Sequence, residues 1–558
     1  MMFAKFIQNL AIRIGAIAVL FISSHAFAVD ACNSEFEELV SEVMIETLNT
    51  DPQKGFLVDL YQEILFVPVW IEERTLSRRA KALFSLIKED RTLPRSSNLF
   101  KKAAALEMRA NDTYTADRGL NEKIELEFAL SELYKKYAEF RLFGSIDWDH
   151  FYSRMRGLRS SGIFAGWVHY RPEATPLSLL EDVMYHEGSL KKAFLEAEPK
   201  KYRYAALKQA LFSYLDLQEE GGWEPVSLDK VIRTGHSSDL VPVIRERLRI
   251  TDDYRECPVE NSEYDDCLKA SIVGFQKRHG LSPDGVIGKR TIKALNRSPD
   301  ERIRLIQLNL DRIKWLHQRE ETRHIIVNIP AFTLYFEEEG KLRLQMKVIT
   351  GKRRNSTPVF SNTVQHIVLN PFWNVPKSII QKELIPQILK NPNAMKEEGI
   401  DIYTGWARDA EKVDVGSVNW KAYRYTKNMP FRFAQPPGNK NALGKVKFLF
   451  PNRFSVYMHD TPAKSLFRKT VRAFSHGCIR LEKPIEMLRV FTSFNQAISF
   501  EAAEKRLRGN RRQFVKLDQT VPVDVVYLTA WVDYDGIVQF RNDIYGYDKI
   551  QLSTLKSW

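Results

Sequence analysis

The chain has 558 residues, a formal charge of +13, 44% apolar and 27% charged residues, and 33 Phe, 21 Tyr and 10 Trp. At roughly 100 to 200 residues per domain this is three or four domains with material for real cores, which excludes a mainly disordered or fibrous chain. The basic excess asks for an acidic partner, and charge alone does not choose among nucleic acid, lipid and an anionic polymer.

Lys5 and Arg13 precede the apolar run 14–22, and Ala26-Phe27-Ala28 supplies the small-x-small pattern of a signal-peptidase site. Residues 1–28 are therefore expected to be a signal peptide cut after Ala28, with an uncleaved inner-membrane anchor as the alternative. Beyond it no run approaches the ~18 to 20 apolar residues of a membrane span. Export to the periplasm is expected, and nucleic acid then drops out as a partner. Cys257 and Cys267 lie ten residues apart in an acidic, loop-like stretch, which suits a local disulfide in an oxidising compartment; two unpaired thiols are the alternative. Cys32 follows the expected cut, but Asp30 argues against lipidation. Cys478 is the odd thiol that needs explaining.

From 33 to 235 the apolar spacing is helical, as in 36–48, 77–89, 120–143 and 177–197, with Pro94, Pro172 and Pro199 as breakers. No titratable constellation stands out there, and a helical scaffold is the expectation. Residues 240–297 read as three short helices: one near Val243 and Leu248, one over 268–278 with Leu268, Ile272 and Phe275 on one face, and one over 291–296. Phe275-Gln276, His279-Gly280-Leu281, Asp284-Gly285, Ile287-Gly288, Thr291 and Leu295-Asn296 resemble the three-helix peptidoglycan-binding domain of cell-wall enzymes. The Cys257/Cys267 insertion departs from that pattern.

From about 322 the period becomes two, with β-rich runs at 324–329, 333–336, 342–350, 366–369, 448–450, 455–458 and 521–528. A mostly β domain is expected over 322–530, followed by a C-terminal extension, 531–558. The whole is multidomain α+β. An insertion at 377–445 carries 12 Lys/Arg against 7 Asp/Glu, the mark of a solvated excursion or of a lid over a site.

The chemistry concentrates in Tyr457-Met458-His459-Asp460 and Ser475-His476-Gly477-Cys478-Ile479-Arg480. A cysteine attacks as thiolate and wants an imidazole near it. His476 stands two residues away, and His459, 19 residues upstream, can approach from a neighbouring strand. Gly477 permits a tight backbone that aims N–H groups at an oxyanion. A buried structural cysteine is the competing reading. A zinc site lacks a CxxC pair and a convincing fourth ligand.

Ser475-His476-Gly477-Cys478-Ile479-Arg480 with His459 upstream resembles the signature of the YkuD-type L,D-transpeptidase catalytic domain. Asn370 to Pro376, Gln435 to Gly438 and Asn441 to Gly444 extend the match. The layout is similar to the large, lidded YcbB type of Gram-negative bacteria. The resemblance implies Cys478 as nucleophile, His459 as base, and Tyr457, Gly477 and the Cys478 N–H at the oxyanion. It gives His476, Arg480 and Ser475 supporting roles, with Trp373 and Gln435 lining the donor channel. It implies 3→3 cross-linking of peptidoglycan stems, carbapenems as covalent inhibitors, and no metal or other cofactor. On the same fold an L,D-carboxypeptidase or hydrolase, or a lipoprotein-to-peptidoglycan ligase, stays open, as does a non-catalytic wall-binding scaffold.

Overall fold

The computed structural model describes residues 35–50, 55–116, 118–185, 188–254, 261–407 and 409–556. The expected signal peptide, Cys32 and Cys257 lie outside the described residues. Cys267, at the start of the helix Asp266–Arg278, is disulfide-bonded. Among the described residues no helix is long and apolar enough to cross a membrane.

Two compact units are present. The first comprises the chain to Ile87 with Lys101–Lys135 and Leu180–Lys191; the second holds the rest, including Lys88–Phe100, Lys136–Leu179 and everything from Lys192. The expected scaffold over 33–235 is thus helical but divided between the two. The reason lies in the packing: Ile146, Phe151, Met155, Ala165 and Trp167 are buried in the same core as the β domain.

The first unit contains a titratable group that sequence reading missed. Glu127 is fully buried and accepts the backbone N–H groups of Val69 at 2.6 Å, Trp70 at 2.9 Å and Ile71 at 3.0 Å, together with the Tyr61 hydroxyl at 2.7 Å. Burial outweighs these donors and raises its carboxyl to about 7. Between the ordinary glutamate range and that value the folded unit keeps a proton the unfolded chain has released, so stability falls as pH rises through the window. Calorimetry should show the melting of this unit moving down as pH rises from the ordinary glutamate range to about 7, and Glu127→Gln, though less stable at its maximum, should flatten that slope.

In the second unit, residues 240–297 form the expected three helices, Leu240–Ile250, Asp266–Arg278 and Lys289–Leu295, around Ile244, Leu248, Leu268, Ile272, Phe275 and Leu295. Buried Gln276 explains the Asp284-Gly285 turn. Its amide donates to Asp284 Oδ1 at 3.1 Å and to the Val286 carbonyl at 3.0 Å, and accepts the Gly285 N–H at 2.9 Å. The helix Pro299–Lys314 was missed by the sequence reading, although Ser298 and Glu301 close a capping box at its start. Its Ile303, Ile306, Leu310 and Ile313 are core residues.

The strands are β1 Arg323–Asn328, β2 Thr333–Glu338, β3 Lys341–Gly351, β4 Phe360–Leu369, β5 Trp373–Asn374, β6 Asp401–Tyr403, β7 Arg432–Gln435, β8 Val446–Leu449, β9 Met458–His459, β10 Ala473–Ser475, β11 Ile479–Leu481, β12 Gln513–Val526, β13 Ala530–Val532 and β14 Val538–Phe540. Nine of them form one sheet in the order β10-β3-β11-β9-β8-β4-β12-β1-β2. β3 is long enough to serve neighbours at both ends: Lys341 to Lys347 pair with β2, and Val348 and Ile349 pair with β11. The strands from β3 to β2 thereby close into a ring, with β10 added on β3. Phe336, Val348, Phe448, Met458, Ile479 and Val523 point inward, joined by Met487, Leu488 and Phe491 of the helix Pro484–Phe494.

The segment expected as a C-terminal extension is part of this body. Tyr545 and Tyr547 sit in the main core, and the Tyr545 hydroxyl donates to the Gly351 carbonyl at 2.6 Å. The 377–445 insertion is no solvated excursion either. With Val375 it encloses a core of its own, including Ile380, Ile385, Met395, Ile402, Trp420 and Phe433, backed by the small sheet β5-β7-β6.

Candidate active site

Three short strands carry the site. Lys447 of β8 pairs with His459 of β9, and His459 pairs with Arg480 of β11. Because side chains alternate, Phe448, Met458, Ile479 and Leu481 fill the core, and Lys447, Tyr457, His459, Cys478 and Arg480 are left on the other face. The Tyr457 and His459 rings are 5.5 Å apart, and Lys447 Nζ stands 3.6 Å from the centre of the Tyr457 ring.

The nucleophile candidate is half-buried. Cys478 Sγ lies 3.8 Å from the carbonyl of Ser455, which takes a φ of 55° in the turn that Asn452 braces with bonds to Phe450, Phe454 and Val456. Burial pushes the thiol up. The backbone N–H of Tyr457, the Lys447 charge, the Tyr457 hydroxyl and Arg480 pull it back towards the thiolate. Arg480 Nε is buried without a hydrogen-bond partner among the described residues.

His459 is buried, and its Nδ1 donates to the Asp460 carbonyl at 2.5 Å. A carbonyl only accepts, so Nδ1 holds the proton and Nε2 keeps its lone pair. Burial, then the nearby Arg480, hold the imidazolium down to about 3. At neutral pH the thiol and the imidazole are therefore both uncharged, and not a preformed thiolate–imidazolium.

The loop that presents the cysteine is held by hydroxyls. Ser475 Oγ donates to the Cys478 carbonyl at 2.5 Å and accepts the Gly477 N–H at 3.1 Å; Thr357 Oγ1 donates to the Gly477 carbonyl at 2.8 Å. Tyr545 accepts the Thr357 N–H at 3.2 Å, which ties the loop to the chain's last segment. Gly477 has a φ of 119°, a conformation that needs glycine. Its N–H is spent on Ser475, which corrects the expectation that it faces an oxyanion. His476 meets Glu383 Oε1 of the insertion at 2.5 Å. Glu383 belongs to a π turn, Ile380–Leu384, where Pro386 supplies no N–H to the helical ladder.

Residues 322–495 match the family model of the L,D-transpeptidase catalytic domain, YkuD. These residues are an L,D-transpeptidase catalytic domain. Residues 56–211 match a scaffold domain, and 237–295 match a model provisionally described as a peptidoglycan binding domain. A Haemophilus influenzae protein provisionally named an L,D-transpeptidase is 32% identical over 226 residues, 40% of this chain. The match spans 44% of that relative's length. Among solved structures, an L,D-transpeptidase (Yku) from Stackebrandtia nassauensis is 15% identical over 53% of this chain and 94% of its own, with a TM-score of 0.21. The L,D-transpeptidase from Xylanimonas cellulosilytica is 12% identical over 54% of this chain and 100% of its own, with a TM-score of 0.17.

Within the L,D-transpeptidase domain, Gln435, one of the two expected channel residues, is committed to the backbone. Gln435 is buried, and its amide donates to the Glu398 and Lys440 carbonyls, both at 2.8 Å, while its oxygen takes the Ala442 N–H at 2.7 Å. With every polar atom spent on main chain it has nothing left for substrate. Trp373, paired with Gln435 across β5 and β7, packs on the insertion's own core. Conversely, Lys447 and Ser455 were missed, because a lysine in a β-rich run reads as a solvated face and a serine in a turn as mere turn chemistry.

Asp460 anchors the insertion's return. It accepts the Lys445 N–H at 2.9 Å and the Thr461 N–H at 2.7 Å, and Lys464 Nζ lies at 2.7 Å. This requires Gly444, which has a φ of 60° and whose Cβ, if present, would meet Asp460 Oδ2 at 2.3 Å. Gly444→Ala should destabilise the domain by about 3 kcal/mol, from combined backbone strain and overpacking. Denaturant titration would show it as a lower midpoint, and an unchanged midpoint would mean that the carboxylate moves aside freely.

Proposed function

We propose that the chain is a periplasmic peptidoglycan L,D-transpeptidase that forms 3→3 cross-links through a thioester on Cys478. The observation that carries this reading is the single sheet face holding Cys478, Tyr457 and a proton-accepting His459 inside the matched catalytic domain. In this reading Sγ attacks the carbonyl of the third residue of a tetrapeptide stem, where it is bonded to the D-alanine nitrogen, as His459 Nε2 takes the thiol proton. The imidazolium returns that proton to the departing D-alanine amine. The side-chain amine of a second stem's diamino acid then attacks the thioester, giving its proton to His459, and the thiol is restored. The Tyr457 hydroxyl, the Cys478 N–H and the charges of Lys447 and Arg480 stabilise the oxyanion. No cofactor takes part, since the broken peptide bond supplies the energy.

The folded insertion would exclude water while the thioester waits, its place beside the cysteine loop held by the Glu383–His476 contact. A carbapenem would acylate the same sulfur. The test is mass spectrometry of muropeptides after incubating the purified chain with tetrapeptide-bearing sacculi. A 3→3 dimer with released D-alanine is expected. Tripeptide without dimer would make it a carboxypeptidase, and unchanged sacculi would leave a wall-binding scaffold.

A further inference from the structure

A cavity of about 310 Å³ lies beside the helix Lys289–Leu295, against Phe540, Arg541 and Asn542 at the end of β14. Arg290, Lys293, Arg297, Arg302 and Arg541 line it, and no carboxylate does among the described residues. Such a cluster is electrostatically costly, yet its inner members are held firmly in place. Arg541 donates to the carbonyls of Arg278 and Phe540, both at 2.8 Å. Its stem lies over Gly280, where a Cβ would meet Arg541 Cδ at 2.4 Å and where φ is 64°. Arg302 is 3% exposed, gives Nη2 to the Ala294 carbonyl at 2.8 Å, and sits 4.3 Å from the centre of the Phe540 ring. All these acceptors are neutral, so the charges are positioned without being cancelled.

Burial lowers Arg302 to about 9 and Arg541 to about 10, which still leaves both charged at neutral pH. The remaining wall is apolar or neutral. His279 stacks on Phe540 at 5.5 Å, donates Nδ1 to the Phe275 carbonyl at 2.8 Å, and is kept uncharged chiefly by burial. Leu281 and Ala294 complete it. Two anchored inner cations, three outer ones and an apolar wall suit an organic anion of amino-acid size.

We infer that this cavity is a carboxylate subsite for the free acid groups of a peptidoglycan stem, built jointly by the helices of 240–297 and the segment after β14. The choice of stem over other anions rests on the proposed function and on the match of 237–295. A stem held here would tether wall material to the enzyme independently of Cys478.

The test uses the full chain with Cys478 blocked by alkylation, so that stem binding reports only sites away from the sulfur. The free tetrapeptide L-Ala-γ-D-Glu-diaminopimelate-D-Ala is titrated calorimetrically, with inorganic phosphate as the competing probe. The triple variant Arg290→Gln, Lys293→Gln, Arg297→Gln alters only exposed or half-buried side chains. It should bind the stem about tenfold or more weakly, as loss of charge-assisted hydrogen bonds to a carboxylate does, and with a flatter salt dependence. Carbapenem acylation of the unblocked variant should match that of the parent. Unchanged stem affinity in the folded variant overturns the inference, and so does a parent protein that binds phosphate but not the stem. Failure of the parent to be acylated would instead strike the transpeptidase reading, which separates the two.

Discussion

Cys478→Ala is expected to lose cross-linking and carbapenem acylation together, by about 10⁶-fold and to the limit of detection, as removal of a covalent nucleophile does. The fold should survive, because the cysteine is half-buried on the face opposite the core and its sulfur makes no more than polar contacts, with Tyr457 and, at 3.8 Å, with the Ser455 carbonyl. Intact-mass measurement with a carbapenem, beside a melting curve, checks both halves. Acylation of the alanine variant at the parent rate would remove Cys478 from the mechanism. The pH dependence of alkylation adds an independent sign. Burial lifts the thiol above its ordinary range, so the iodoacetamide rate on the parent should climb through the alkaline range and show no plateau near neutrality. A plateau between pH 5 and 8 would mean a preformed thiolate–imidazolium pair.

His459→Ala should cost about 10² to 10⁴-fold in both acylation and cross-linking, the range for a positioned general base. The proton bookkeeping drives this. His459 is uncharged at neutral pH with Nδ1 committed to the Asp460 carbonyl, so Nε2 is the base on the Cys478 face. His476→Gln should cost far less, because His476 reaches Glu383 of the insertion. What that variant loses should appear in the ratio of hydrolysed to cross-linked product more than in the rate of acylation. Single-turnover acylation beside product analysis distinguishes the two, and the reverse ranking would exchange the roles of the histidines. Lys447→Met belongs to the same series. Its charge favours the thiolate at Cys478 and lies over the Tyr457 ring, so its loss should move the alkylation profile further alkaline, while a purely structural lysine would leave that profile alone.

Periodicity along the chain was sufficient for the helical and β-rich regions, because apolar spacing is a local property that each element must satisfy to bury one face. The three helices of 240–297, the β-rich runs and the Ser475 to Arg480 motif were legible for that reason, as was the need for glycine at 477. The helix Pro299–Lys314 was legible too, from Ser298 and Glu301, and went unread. Other features depend on which distant segments meet. Gln435 looked like a channel residue until three backbone groups of the insertion's base were seen to consume its amide. Gly477's N–H looked available until Ser475 folded back on it. Lys447 joins the sulfur only because β8 lies beside β9 and β9 beside β11, in a register that no window of sequence contains. The division of the 33–235 region and the burial of Tyr545 and Tyr547 follow from the same cause: cores are assembled from residues far apart in the chain. The sequence by itself determined the element types and the reactive residues, which are local chemistry. The protonation of His459, the partners of Cys478 and the cationic cavity beside Phe540 were decided by burial and cross-strand neighbours, which exist only once the chain has closed on itself.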